Sequence, residues 1–229
     1  MKTRSRPSTC RGSALVIVLL AMWLLSALAA AMLTIAAADT MAAANQRDAR
    51  VALYAAESAI ERAADEVVRL PDWDEVLSGV VRSTRVDGAP SGSRRMPDGR
   101  VIQLEQVPNL ANCGSVNPCT VAALAATTTD RPWGANNPRW RLFAYGPTPG
   151  ASPLSTAYSI VMVADDPMES DGNPDRDAPP GSPGADVILL RAEACGPAGS
   201  RRVIEAAVAR VVAPNGAVAP RFISWWPIG

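Results

Sequence analysis

The pattern of apolar and polar positions divides the chain at Pro71. From Ser13 to Leu70 there are 58 consecutive residues without glycine or proline, and the first 26 of them, up to Ala38, carry no charge. From Asp39 to Leu70, ten charged residues are interspersed with alanines and spaced aliphatic side chains. Because this spacing matches one apolar stripe on a helix, the pattern predicts a single long helix that is apolar first and amphipathic afterwards.

The twelve residues before this helix form a basic segment, with four basic residues and no acidic one. A basic head before an apolar run is typical of export and membrane insertion. The stretch Ser13–Ala38 is longer than the roughly 7–15 residues of a signal-peptide core and suits a transmembrane helix of about 20 residues. Three kinds of N-terminal processing are compatible with this pattern. They are an ordinary signal-peptide cut after the small-x-small site ending at Ala29, an uncut anchor, and a cut between Gly12 and Ser13.

Beyond Pro71 the chain is rich in turn residues, since 19 of the 20 prolines lie after Leu70. Short apolar runs between them predict strands at Arg100–Val107, Arg139–Tyr145, Ala157–Ala164, Asp186–Ala194 and Arg201–Val212. A Gly-Pro-rich turn at 196–200 joins the last two as an antiparallel pair. We therefore expect an α+β fold in which a four- or five-stranded antiparallel sheet packs on the second half of the long helix.

Composition narrows the function classes. The chain has 22 basic and 22 acidic residues and no histidine. Zero net charge argues against a nucleic-acid partner, and the lack of histidine removes the commonest general base and zinc ligand. Acidic side chains cluster at Asp165, Asp166 and Glu169, but neither a nucleophile–base pair nor a glycine-rich phosphate loop accompanies them. We expect no enzymatic activity.

Four features occur together in residues 11–70. They are a basic head ending in Gly12, an uninterrupted helix, the segment Asn45-Gln46-Arg47-Asp48, and an Ala-Ala-Glu element within Tyr54–Ile60. Together they resemble the start of type IV minor pilins of the PilX type. The related large minor pseudopilin of type II secretion shares much of this N-terminal style.

The resemblance implies that residues 1–12 are a leader, that a prepilin peptidase cuts after Gly12, and that Ser13 becomes N-methylated. Residues 13–70 would then be a transmembrane and stem helix in the inner membrane, and residues 71–229 a periplasmic head with a pilin-like fold. The implied partners are the major pilin and other minor pilins or pseudopilins, which contact the N-terminal helix. The implied role is to initiate or cap a type IV pilus or type II secretion-like filament, with the subunit at the filament tip.

Two positions depart from most major pilins, which begin with a large apolar residue and carry a glutamate five residues after the cut. Here those positions hold Ser13 and Ile17. A new amino terminus is largely charged at neutral pH, and burying it among apolar helices is costly unless a carboxylate pairs with it. Because the chain lacks that carboxylate, it suits a subunit present in few copies.

The alternative to the filament role is a bitopic, membrane-anchored envelope binding domain with no filament role.

The segment 165–184 differs from the rest of the body, with six acids, five prolines, three glycines and one base in 20 residues. Within it, Asp171, Asn173, Asp175 and Asp177 place oxygen-bearing side chains at alternate positions. Alternating oxygens beside a glycine can point several hard ligands inward, as Ca²⁺ requires, so this pattern predicts a possible calcium site. A solvated acidic loop is the alternative, since the bidentate glutamate and flanking helices of an EF-hand are missing.

The cysteines reduce to three if Cys10 leaves with the leader. Cys113 and Cys119 enclose a turn-rich segment, which predicts a disulfide in an oxidising envelope. Cys195 would then be a buried free thiol. Pairing of Cys195 with either of the others, or three reduced thiols, stays open.

An aromatic segment lies near the C-terminus, at Phe222, Trp225 and Trp226. Such side chains can form a partner-binding or lipid-contacting surface, or they can complete the edge of a core. We expect them to complete the core.

Overall fold

The structure, a computed structural model, describes residues 13–148, 156–169 and 171–228. The expected leader, including Gly12, lies outside the described residues. Contacts divide the chain into a unit up to Gln46 and a unit from Arg47 onward. The long helix, α1, runs over Ser13–Val67 and contributes to both units. This division lies earlier in the chain than the boundary that the sequence places at Pro71. The reason is that the second part of α1 packs against the residues that follow it.

In the first unit, α1 is apolar and exposed on every face. Its most apolar 18-residue window has a mean hydropathy of 2.6, and none of that window is buried. Large side chains such as Leu15, Trp23 and Leu33 are each more than half exposed. Within the described ranges, α1 is the one helix long and apolar enough to cross a membrane, which agrees with the span expected over Ser13–Ala38.

In the second unit, α1 packs a face of small side chains against the main sheet. The buried positions recur three or four residues apart, and they are Ala52, Ala55, Ala56, Ala59, Ile60, Ala63, Ala64 and Val67. They share a core with sheet residues such as Phe143, Val161 and Leu190. Because most of the helix face is alanine, the helix backbone can lie close to the sheet.

The helix ends three residues earlier than Leu70. The N–H groups of Arg69 and Leu70 donate to carbonyls three residues back, at 3.2 and 3.1 Å, so the last turn tightens before Pro71. Glu66, in this last turn, has hydrogen-bond partners outside the helix. Its carboxylate accepts hydrogen bonds from the hydroxyl of Ser83 (2.6 Å) and the N–H of Thr84 (2.8 Å).

Short elements follow, and they are α2 (Asp74–Leu77), β1 (Ser93–Arg95), β2 (Val101–Gln103), α3 (Gln106–Cys113) and α4 (Val121–Leu124). The predicted strand Arg100–Val107 was therefore wrong beyond Gln103, where the chain turns into α3. Pro108 explains the difference, since it lacks an N–H for a sheet but fits the first turn of a helix. Gly114 ends α3 with φ +67° and donates its N–H to the Leu110 carbonyl at 3.0 Å.

Five strands form one antiparallel sheet in chain order, and they are β3 (Arg141–Pro147), β4 (Tyr158–Asp165), β5 (Val187–Cys195), β6 (Arg201–Val212) and β7 (Val218–Ile228). The first four lie within two residues of predicted strands. The predicted strands do not include β7, which contains Pro220 and Pro227. Prolines are tolerated there because β7 lies at the edge of the sheet.

Both faces of the sheet centre are covered, which makes β4 buried at all eight positions. The alanine face of α1 covers one side. Met96, Leu104, Val107 and Trp140 cover the other side. The continuous apolar run in β4 is the sequence pattern of such a doubly covered strand. The chain is thus an α+β protein in which a long helix packs on an antiparallel sheet.

Arg210 of β6 fixes the end of α1 to the sheet. Its guanidinium donates to the Leu70 carbonyl at 2.8 Å and lies 4.2 Å from the ring centroid of Trp73. The indole N–H of Trp73 donates to the carbonyl of Val67 at 2.9 Å. These contacts satisfy carbonyl groups that the helix end leaves without an intrahelical partner.

Candidate functional site

The four residues of the predicted calcium site have different partners in the structure. The Asp175 carboxylate forms ion pairs with the Arg139 and Arg141 guanidinium groups, the latter at 3.0 Å. One oxygen of Asp177 accepts the backbone N–H of Asp186 at 3.0 Å. These two carboxylates therefore already have partners within the protein.

Asp171 and Asn173 shape the local backbone. Asp171 Oδ1 accepts the N–H of Asn173 at 2.8 Å, and Asn173 Oδ1 faces the N–H of Asp175 at 3.4 Å. The side-chain oxygens of Asp171 and Asn173 thus accept backbone N–H groups two residues further along the chain, and they do not converge on one ligand site. Of the four predicted ligands, Asp171 alone joins a metal-sized group of carboxylates.

That group, here called the acidic cluster, consists of Asp165, Glu169 and Asp171. One oxygen from each carboxylate lies within 4.8 Å of the other two. Asp165 and Glu169 are each only 2% exposed, whereas Asp171 is exposed. Across the described ranges, this is the one group of three or more histidine, cysteine, aspartate or glutamate side chains with such spacing.

The end of β4 and the turn that follows it bring the two buried carboxylates together. Asp165 is the last residue of β4 and pairs with Ile188 of β5. The N–H of Glu169 donates to the Asp166 carbonyl at 3.1 Å, which closes a tight turn. Asn136 holds this turn from outside, because its amide donates to the carbonyls of Pro167 (3.0 Å) and Glu169.

Gly184 provides the space in which the Glu169 side chain lies. Its backbone has φ +85°, a conformation that favours glycine. A Cβ at this position would lie 2.5 Å from Glu169 Cγ and 3.2 Å from the Glu169 backbone nitrogen. A side chain at position 184 is therefore incompatible with the observed position of Glu169.

The two buried carboxylates lack hydrogen-bond partners. None of the four oxygens of Asp165 and Glu169 accepts a hydrogen bond from a described residue. Interactions with the backbone N–H groups of Asp166 and Ala178 offset part of the pKa increase of Asp165 and Glu169, and an interaction with the Glu169 side chain offsets part of the pKa increase of Asp177. Buried carboxylates normally have such partners, or they ligate metal ions.

Burial and repulsion between carboxylates raise the pKa values of Asp165 and Glu169 well above their usual range. Burial first, and the charge of Glu169 second, raise the pKa of Asp165 to about 9. Burial first, and the charge of Asp177 second, raise the pKa of Glu169 to about 7. Asp165 therefore holds a proton at neutral pH unless a positive charge lies beside it.

The aromatic side chains of β7 lie at the surface, so the expectation that they complete the core was wrong. Phe222, Trp225 and Trp226 are each 38% exposed. The reason is the sheet order, in which β7 is the last strand and has β6 beside it. Trp226 also lines a groove of about 1050 Å³, together with Trp133 and other side chains.

Cys113 and Cys119 are joined by a disulfide with an S–S distance of 1.96 Å. The bond closes a short loop between the end of α3 and the start of α4. Cys195 is a buried free thiol at the end of β5. Burial, followed by the charge of Glu193, raises the pKa of the Cys195 thiol to about 11, so this thiol is poorly suited to nucleophilic chemistry.

Of the expected processing site, the structure describes Ser13 but not Gly12. Ser13 is the first described residue of α1, and Ile17 is exposed within the first turns of this helix.

Comparison of the chain with family models, curated proteins and solved structures found no match.

Proposed function

We propose that the protein is a minor pilin or pseudopilin, a structural subunit that helps to initiate or cap a type IV pilus or a type II secretion-like filament. In this proposal a prepilin peptidase cuts after Gly12, and Ser13 becomes the methylated first residue. Ser13–Ala38 spans the inner membrane, and residues 71–229 form the periplasmic head. The subunit lies at the filament tip after assembly.

One observation carries the proposal: the described helix runs from Ser13 to Val67 without a break, and the exposure of its apolar side chains changes along its length. Its first part is uncharged and exposes large apolar side chains, and its second part packs an alanine face on an antiparallel sheet. An exposed apolar helix is stable only in lipid or among other apolar helices. A filament subunit meets both lipid and apolar helices, because its N-terminal helix leaves the membrane and packs among the helices of neighbouring subunits.

The first helical turns favour a subunit of low copy number. Ile17 occupies the position where major pilins carry the glutamate that pairs with a neighbour's amino terminus. The described helix has no acidic residue in its first turn. In this proposal the subunit therefore depends on carboxylates of other minor pilins, pseudopilins or the major pilin. Such dependence is tolerable at a tip or in an initiation complex.

A bitopic, membrane-anchored binding domain is the second candidate. The groove beside Trp226 favours it, because a cavity of about 1050 Å³ with aromatic walls is large enough for a small-molecule ligand. In this case the apolar helix is only an anchor.

The mature N-terminus separates the two candidates. The full chain, with a C-terminal tag, is expressed with and without a prepilin peptidase, and its N-terminal peptide is sequenced by mass spectrometry. The filament role requires a peptidase-dependent start at methylated Ser13. An uncut Met1, or a start near Ala30, contradicts it.

Two variants provide matched controls. Gly12→Leu removes the glycine before the proposed cut and should leave the chain uncut. Ala29→Leu removes the small residue of the ordinary signal-peptide site and should leave processing unchanged. The reverse result would favour the second candidate.

A further inference from the structure

We propose that a cavity between α1 and the β3 edge of the main sheet binds a phosphate group, either free or at the end of a small molecule, through the guanidinium groups of Arg62 and Arg85. The cavity has a volume of about 370 Å³ and is lined by residues of α1, of the segment 83–87, of β3 and of β4. These residues all lie in the unit from Arg47 onward, so the proposal does not depend on the filament role.

The fold brings the two arginines to one cavity from distant parts of the chain. The segment 83–87 lies along the outer edge of β3, where the N–H of Tyr145 donates to the Arg85 carbonyl at 3.2 Å and the N–H of Asp87 donates to the Tyr145 carbonyl at 2.8 Å. Arg62 comes from α1, which packs on the same sheet. Because backbone hydrogen bonds fix one side and core packing fixes the other, the cavity is preformed.

Neither arginine has an acidic partner. Across residues 13–148, 156–169 and 171–228, the ion pairs of the chain include neither Arg62 nor Arg85. The Arg62 guanidinium donates to the hydroxyl of Ser58, one turn earlier in the same helix. A guanidinium has five N–H donors, so both side chains retain donors for a ligand.

The two acidic residues of the cavity wall, in contrast, have partners of their own. The Glu66 carboxylate accepts the Ser83 hydroxyl at 2.6 Å and backbone and side-chain donors of the next residue. The Asp87 carboxylate accepts the Tyr158 hydroxyl at 3.2 Å and lies 3.5 Å from the Arg94 guanidinium. The wall therefore contains satisfied carboxylates beside two arginines that lack a negatively charged acceptor.

The positive charges of the two arginines repel each other. Burial first, and the charge of Arg85 second, lower the pKa of Arg62 from its ordinary value, while the charge of Glu61 opposes this decrease. An arginine nevertheless stays protonated at neutral pH, so a bound anion is the available means of relieving the repulsion. A phosphate group offers several charged acceptor oxygens, and the planar fork of a guanidinium matches two of them.

The size and walls of the cavity suit a phosphate group that is attached to a small carrier. Its volume of about 370 Å³ lies at the lower end of the range of roughly 300–1,000 Å³ found for ligand sites. Apolar side chains such as Ala59 and Val161 line it together with the polar ones. The cavity therefore has room for the anion and for part of the molecule that carries it.

The test uses the full chain in detergent micelles at neutral pH. Thermal unfolding is followed by tryptophan fluorescence in sodium phosphate or sodium glycerol 3-phosphate up to about 20 mM, and each sample is compared with sodium chloride of the same ionic strength, because salt alone screens the repulsion. We expect phosphate at about tenfold excess over its dissociation constant to raise the Tm by about 3–6 °C above the chloride sample. An equal or larger shift with glycerol 3-phosphate would support a carried phosphate group, and a shift with inorganic phosphate alone would support the free anion.

Arg62→Gln and Arg85→Gln each remove one positive charge of the cavity. Each variant should lose most of the phosphate-induced shift, measured against its own chloride sample, so that a change in its basal Tm is not mistaken for lost binding. Arg82→Gln is the matched control, since Arg82 is an exposed arginine close to Arg85 in the chain that does not line the cavity. This variant should keep the phosphate-induced shift.

Three results would overturn the proposal. They are no shift of the wild type beyond the chloride sample with either phosphate compound, a full phosphate shift in both Arg62→Gln and Arg85→Gln, and an equal loss of the shift in Arg82→Gln. The last result would mean that phosphate responds to the positive charge of this region in general and not to the cavity.

Discussion

Glu169 shows how a single backbone position controls a buried charge. Its side chain is almost fully buried, and the space that it occupies exists because residue 184 has no Cβ. Gly184 also has a left-handed backbone conformation, so it meets two separate requirements. The two requirements can be measured separately, because Gly181 has a similar φ of +92° with no atom near its absent Cβ.

We expect Gly184→Ala to destabilise the chain more than Gly181→Ala. The left-handed conformation costs an alanine about 1–2 kcal/mol at either position. At position 184 the clash with Glu169 Cγ adds a steric cost of about 1–3 kcal/mol. At about 2–4 °C per kcal/mol for a domain of this size, Gly181→Ala should lower the Tm by a few degrees and Gly184→Ala by roughly twice as much. Equal Tm values for the two variants in the same buffer would contradict the steric role of Gly184.

At the scale of elements, the alanine face of α1 sets the distance between the helix and the sheet. Ala56 is completely buried in the core that this face shares with β4 and β5. A core packed to this density has no room for three additional carbon atoms unless the helix moves. The helix is therefore tolerant on its exposed faces and intolerant on this one.

Ala56→Leu should lower the Tm of the full chain in micelles by several degrees. Overpacking a filled core costs about 1–3 kcal/mol, although leucine is a good helix former. Ala44→Leu is the matched control, because it makes the same change at an exposed position of the same helix and should leave the Tm unchanged. If both variants melt with the wild type, the close packing of α1 on the sheet is not important for stability.

At the scale of the whole molecule, one continuous helix contributes to two units in which the exposure of its apolar side chains differs. The first unit exposes apolar side chains, and the second buries its apolar face against a sheet. A charge introduced near the start of α1 therefore changes the environment of the first unit alone. This separation allows the proposed filament role to be tested without disturbing the head.

Ile17→Glu should change how many copies of the subunit enter a filament or an initiation complex. The new carboxylate could pair with a neighbour's amino terminus, which removes the reason for low copy number. Ile17→Leu keeps the apolar character and should behave as the wild type does. Subunit ratios in isolated filaments, measured by quantitative mass spectrometry, check this. Identical ratios for the wild type and both variants would refute the role given to Ile17.

Local patterns were sufficient for most of the fold. The uninterrupted apolar and amphipathic run predicts α1, and the apolar run within 157–164 predicts the strand β4. Predictions failed where a proline had more than one possible role. Pro108 fits a helix start as well as a loop, and the prolines of β7 are acceptable only because that strand lies at an edge of the sheet.

The sequence by itself determined the long helix, the strand-rich body and the acidic composition of the β4–β5 connection, because helix and strand periodicities depend on neighbours a few residues apart. Only the tertiary structure decided which carboxylates act together. The arginines of the 139–141 segment pair with Asp175, while the end of β4 brings Asp165 and Glu169 beside Asp171. Burial and electrostatic partners depend on residues far apart in the chain, so alternation along a loop could not reveal them.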